Sequence, residues 1–234
     1  MSSLPSIEPP VLFLDAASPV VAVGLQPIAD AGSTRWQHVR GEAGVDLFQA
    51  AEKVLRGAGT TVADLRTVVF CEGPGSLLGV RLVAMAVRTW NALPRPLPLR
   101  LLGYRSLALV AAQLLASGER PPFHVISDAR RATWNLLTVA EDGSPGEIRR
   151  WPAGEKLANA RSIFYPQEFP HWQPFPEGAQ AVPYPVASLT ELARRLPPLL
   201  HAVDQPDAFL TEMPDYKTWE PAFRAPAASS QASS

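Results

Sequence analysis

The chain of 234 residues carries one cysteine, Cys71, so no disulfide forms within it and a reducing, cytoplasmic setting is expected. Lysine is almost missing, with only Lys53, Lys156 and Lys217, and the formal net charge is −1. Without a basic excess the chain is not expected to hold a nucleic-acid backbone on its own. No apolar run reaches the roughly 20 residues that cross a bilayer. The start, Met1-Ser2-Ser3-Leu4-Pro5, lacks the basic and long apolar segments of a signal peptide. His38, His124, His171 and His201 are scattered, so no metal-ligand spacing is legible. No Gly-Lys-Ser/Thr ends a glycine loop, which excludes a P-loop. Ser76 stands in no Gly-x-Ser-x-Gly elbow, because Leu78 occupies the last glycine position.

Hydrophobic residues make up 47% and charged residues 18%, a globular balance. Residues 1–10 and 225–234 read as flexible tails. Val11 to Leu14 is an apolar run ending at Asp15, a strand buried on both faces. Val20–Leu25 and Thr34–Arg40 follow as a meander. Val45, Phe48, Ala51, Val54 and Leu55 keep helical spacing, with Gly57 and Gly59 as the stop. Arg66–Cys71 is a strand, Leu77–Leu93 a helix and Leu99–Leu102 another strand. The order β-β-β-α-β-α-β predicts a ribonuclease-H-like lobe of the kind that actin and sugar kinases use in pairs.

The second half repeats this less clearly. Ser106–Ser117 reads as a helix, Phe123–Ile126 as a strand reaching Asp128, and Trp134–Val139 as its hairpin partner. Residues 143–185 predict loops or an incomplete sheet. Ser188–Val203 predicts a helix that Pro197-Pro198 kink or end. Asp15 and Asp128 both close a buried strand, the internal echo of two lobes. The division expected is 11–103 and 104–224.

The segment Gly73-Pro74-Gly75-Ser76-Leu77-Leu78-Gly79-Val80-Arg81 is the informative one. Glycines at a strand-to-helix turn permit close backbone approach, Ser76 caps the helix, and amides at such a helix start hold anions. Asp15, Gly73, Gly75, Ser76, Gly79 and Asp128 are therefore candidates for a phosphate or anion site, beside the reading of a tight structural turn. Cys71 next to this loop reads as a small buried thiol rather than a nucleophile. Trp151, Tyr165, Trp172, Phe175 and Tyr184 read as loop packing rather than base stacking, since, apart from Arg149 and Arg150 beside Trp151, few lysines or arginines stand near them in sequence. Arg130-Arg131 reads as a solvated pair.

The glycine segment resembles the GPGS(F/L)TG(L/V)R signature of the TsaB (YeaZ) family. Leu14-Asp15-Ala16-Ala17, Gly103-Tyr104-Arg105-Ser106-Leu107 and Ser127-Asp128-Ala129-Arg130-Arg131 resemble further motifs of that family, in the same order. The resemblance covers roughly residues 11–135. It implies an α/β, actin-like ATPase fold of two lobes, the second divergent. It also implies a non-catalytic scaffold role, without cofactor, in forming N6-threonylcarbamoyladenosine at position 37 of tRNA. The implied partners are a TsaD-type catalytic subunit and a TsaE-type ATPase, with tRNA met only through the complex. A homodimer through the same helices is the alternative when the chain is alone. The contact helices fall near 45–56 and 77–92, with Phe48, Ala51, Leu55, Leu78, Leu82, Val83, Met85, Val87 and Trp90 as contact residues.

The second helix is apolar nearly all round, with Arg81 and Arg88 as its polar stripe, which by itself calls for burial on more than one side. Glu42-Ala43-Gly44-Val45-Asp46 offers no histidine where a TsaD-type metal helix would fall, and Ala16 and Ala17 replace the glycine that follows the phosphate-facing Asp of actin-like kinases. Departures from the family pattern are Leu78 for Thr, Ala43 for His, Ala132-Thr133 for Gly-Glu, and a poor match at Pro214-Asp215-Tyr216-Lys217. The rival function is an actin-like phosphotransferase or ATPase at Asp15, the Gly73–Gly79 loop and Asp128. A protease is disfavoured for want of ligands or a triad.

Overall fold

The computed structural model describes residues 7–95, 97–157, 161–195 and 199–211. Both expected tails beyond these limits, Pro197-Pro198 and Pro214–Lys217 lie outside the described residues.

The first sheet begins with β1 (Val11–Asp15), β2 (Val20–Gln26) and β3 (Arg35–Arg40), an antiparallel meander. Helix α1 (Ala43–Gly57) then carries the chain to β4 (Thr67–Cys71), which pairs parallel to β1. Helix α2 (Leu77–Asn91) leads to β5 (Arg100–Tyr104), parallel to β4. Parallel pairs need such crossovers. Successive side chains of β1 point to opposite faces, and both faces are covered. Leu12 and Leu14 join the core under α1 and α2, whereas Val11 and Phe13 join the core on the other side.

Helix α3 (Ser106–Ala116) opens the second half and lies between the sheets. Leu109 and Ala112 pack on the first sheet, and Leu107, Val110 and Ala111 pack on the second. The second sheet holds β6 (Phe123–Asp128), β7 (Thr133–Val139), β8 (Arg149–Pro152), β9 (Ser162–Pro166) and β10 (Ala179–Val182). Its order, β10-β9-β6-β7-β8, repeats the order β5-β4-β1-β2-β3 of the first, with the same strand directions. The echo read from Asp15 and Asp128 is thus a repeated topology, since each ends the first strand of its sheet.

Two expectations change. Residues 143–185 contain three strands. The helix expected over Ser188–Val203 is short, α4 (Leu189–Arg195). Beyond it His201–Ala202 forms β11, antiparallel to β5 at the edge of the first sheet. Leu189, Leu192, Leu199 and Leu200 pack with Phe13, Val69 and Leu102, so the end of the second segment returns to the first sheet. No helix among the described residues is long and apolar enough to cross a membrane.

Candidate functional site

The glycine turn joins β4 to α2 where β1 ends. Gly73 adopts φ +98°, open to glycine. A Cβ on Gly75 would lie 2.9 Å from the Ala17 carbonyl carbon, and one on Gly79 3.0 Å from that of Ala16, with the carbonyl oxygens closer still. The glycines let α2 press its first turn onto the β1–β2 connection. Two of the amides there have acceptors within the chain. Ser76 N–H donates to the Ala17 carbonyl (2.7 Å), and Gly79 N–H donates to the capping Ser76 Oγ (3.3 Å).

Asp15 is fully buried beside this turn. Its Oδ1 accepts from Ala17 N–H at 2.8 Å, and its Oδ2 accepts from the hydroxyls of Tyr104 and Tyr184 (2.7 Å for the latter). Burial raises its carboxyl above the ordinary 3.8, and these hydrogen bonds oppose the rise. Cys71 shares the cluster, its sulfur 3.7 Å from the Tyr184 hydroxyl. Burial, then the neighbouring Asp15 charge, pushes its thiol well above the ordinary range, the reverse of an activated nucleophile. Burial has the same effect on both tyrosines. A phosphate could reach Asp15 only by displacing two tyrosine hydroxyls.

Asp128 is not brought to this cluster. Its carboxylate accepts Arg130 N–H (2.6 Å) and Trp172 N–H (2.8 Å) at the far end of the β6–β7 hairpin.

The two predicted contact helices pack side by side, with Phe48 edge-on to Trp90 at 6.2 Å between ring centroids. Their apolar residues divide into two faces. Val83 and Val87 are buried in the lobe's own core, which corrects their placement on a contact surface, whereas Ala51 and Leu55 are buried there but also line the groove beside Trp90. Val83 and Val87 are 0% exposed. Val45 and Phe48, which keep helical spacing with Ala51, Val54 and Leu55, point outward; Leu47 and Ala50 are buried on the inner face. Outward-facing residues are Phe48 (44% exposed), Leu78 (75%) and Met85 (62%), with Leu82 and Trp90 partly covered. Leu78, Leu82 and Met85 stand one helical turn apart in one stripe. Half of the exposed large apolar side chains among the described residues stand on these two helices. A groove of about 540 Å³ opens beside them, between Phe48, Leu55 and Trp90 and the loop Thr60–Val62.

Other residues escaped sequence reasoning. Glu72, at the end of β4, lies 3.0 Å from the Arg105 guanidinium and 2.7 Å from His201 Nε2. These are ion-pair distances without hydrogen-bond alignment. Gly103 leaves the room that the Glu72 carboxylate fills. Phe209 covers Arg105 at 3.9 Å, and its N–H donates to the Glu72 carbonyl (2.7 Å). Arg88, expected as plain polar stripe, holds the same returning segment through the Pro206 carbonyl (2.5 Å) and Asp207 (3.2 Å). The cluster closes the sheet edge where β11 joins. Tyr184, His201 and Phe209 carry no periodic signal, because their partners lie in the other half of the chain.

The sequence model of the family described as "TsaD: tRNA N6-adenosine threonylcarbamoyltransferase" matches residues 44–171, more than half of the chain. No curated protein matches it in sequence. A solved structure described as an uncharacterized protein with similarity to peptidase YEAZ from Pseudomonas aeruginosa superposes with TM-score 0.62 at 18% identity. The match covers 86% of this chain and 99% of that one. YeaZ from Pseudomonas aeruginosa superposes with TM-score 0.58 at 20% identity over 79% and 90% of the two chains. These likenesses show a common fold: two mixed sheets flanked by helices, as the actin-like reading expected.

Proposed function

Since the chain belongs to the TsaD family of tRNA N6-adenosine threonylcarbamoyltransferases, we propose that it serves tRNA threonylcarbamoyladenosine formation as an accessory subunit that docks a TsaD-type catalytic chain. The observation that carries this reading is the outward stripe of Leu78, Leu82 and Met85 beside Phe48 and Trp90. It forms a contiguous apolar surface on two helices whose inner faces are already packed. Supporting a scaffold role, Asp15 is sealed by Tyr104 and Tyr184, and the Ser76 and Gly79 amides of the glycine turn donate within the chain. The groove beside Trp90 gives a partner side chain a place to anchor. A TsaE-type ATPase and tRNA then join the pair.

Completing the burial of Leu78 is worth roughly 1.5–2 kcal/mol, about ten- to thirtyfold in affinity. The test is size-exclusion chromatography of the chain mixed at micromolar concentration with the TsaD-type protein of the same genome. A one-to-one complex that Leu78→Glu weakens at least tenfold is expected. Separate elution, or a Leu78→Glu variant that pairs like the wild type, refutes the docking surface. A homodimer that Leu78→Glu dissolves would assign the face to a second copy instead.

A further inference from the structure

At the opposite end of the second sheet, the tip of the β6–β7 hairpin and the loop 171–175 form one built surface. Arg130, Arg131 and Ala132 all take left-handed backbone conformations, with φ of 63°, 51° and 53°. Three successive residues other than glycine in that region are rare and held by their surroundings. Asp128 supplies the hold, accepting both Arg130 N–H and Trp172 N–H and so tying the two loops together. Gln173 adds a second tie by donating to the Thr133 carbonyl at 2.8 Å. Beneath lies a fixed aromatic stack in which Phe175 packs against Tyr165 at 3.6 Å and Trp134 at 5.2 Å between centroids.

In the same 171–175 loop stands Trp172, 61% exposed, with the Arg130 guanidinium 4.3 Å from its ring centroid. Arg131, the next residue of the turn, is exposed. An exposed indole with the Arg130 guanidinium on one side of its ring, on a turn that also carries Arg131, suits an unpaired base and an adjacent phosphate. The ring offers a stacking face, and the arginines offer charge and planar donors. The arrangement does not suit an apolar partner, because Arg130 already covers one side of the ring.

We infer that the Arg130–Arg131 turn and Trp172 form a contact surface for single-stranded RNA, taking one unpaired base of a tRNA loop and an adjacent phosphate. The choice of RNA over an acidic peptide rests on the proposed role in tRNA modification. The surface itself is independent of the α1–α2 face.

The test is fluorescence anisotropy of a fluorescein-labelled RNA stem-loop with an unpaired loop, titrated with the full chain alone and paired with its TsaD-type partner. Trp172→Ala is expected to weaken binding roughly tenfold, in line with the loss of one stacked base, while Trp172→Phe largely retains it. Arg131→Glu should also weaken it and lower the salt slope by about 0.7–1, as expected for one lost phosphate contact. A fully paired duplex should bind much less well. Equal binding by wild type, Trp172→Ala and Arg131→Glu overturns the assignment, as does absence of binding in both settings. Displacement by an acidic peptide but not by unlabelled RNA assigns the surface to a protein and overturns it too. Leu78→Glu should leave the RNA affinity of the isolated chain unchanged, so failure of the docking reading and failure of this one are separable.

Discussion

Replacing Gly79 by alanine pits two effects of opposite sign against each other. Gly79 lies inside α2, where alanine is favoured over glycine by about 1 kcal/mol. If propensity ruled, Gly79→Ala would stabilise the protein. The new methyl, however, would lie 3.0 Å from the Ala16 carbonyl carbon and 3.1 Å from its Cβ, with the carbonyl oxygen nearer. Ala16 is buried backbone at the end of β1 and cannot swing aside. Relief requires the first turn of α2 to withdraw, which strains the 2.7 Å bond from Ser76 N–H to Ala17. Overpacking costs about 1–3 kcal/mol and the bond about 0.5–1.5 kcal/mol. The net is a loss of about 2 kcal/mol, or a fall in Tm of roughly 4–8 °C for a chain of this size. Gly44→Ala is the control. It lies in the first turn of α1, where an added methyl would meet nothing within 4 Å, and it should hold or raise Tm. Thermal unfolding followed by circular dichroism reads both. A Gly79→Ala protein as stable as the wild type refutes the close-packing account of the signature glycine and returns the turn to consideration as a ligand site.

Val83→Glu places a carboxylate in a site with no solvent access, at a cost of several kcal/mol, so the variant should be largely unfolded where Leu78→Glu melts within about 1–2 °C of the wild type. A folded Val83→Glu protein in the same melts contradicts the assignment of the inner face. Asp15 has a folded-state pKa raised above 3.8, so the folded chain binds the proton more tightly than the unfolded one. Its contribution favours the fold at low pH and is lost as pH rises from about 4 through the folded value. In denaturant titrations the stability of wild type relative to Asp15→Asn should therefore fall across that window and then level off, and a rising difference contradicts the burial of Asp15. Cys71 should resist a water-soluble disulfide reagent in the native state at pH 8 and react within seconds once unfolded. Fast native labelling shows that the thiol is open to solvent.

The first lobe was legible because its signals are local. Continuous apolar runs gave β1 and β4, helical spacing gave α1 and α2, and the glycine turn stood between a strand and a helix. The second lobe was less so for a physical reason. The outer face of its sheet is covered by the loop residue Phe175, which stacks on Tyr165 of β9 and Trp134 of β7, and loops have no period to read. Arg130 and Trp172 lie far apart in sequence, so the solvated Arg130-Arg131 pair and the loop-packed Trp172 that sequence implies become one contact only where the hairpin tip sets them 4.3 Å apart. The division of α2 into an inner and an outer face also escaped, because valine, leucine and methionine surround the axis and composition does not rank them.

The sequence by itself determined the elements of the first lobe, the capped glycine turn and the resemblance to the family, since each depends on residues close along the chain. Only the tertiary structure decided which apolar residues of α1 and α2 are spent on the core and which stand free. It likewise decided that Tyr104 and Tyr184 close over Asp15, and that the chain returns through His201 to the edge of the first sheet. Those outcomes depend on burial and on contacts between residues far apart in sequence, which spacing along the chain does not encode.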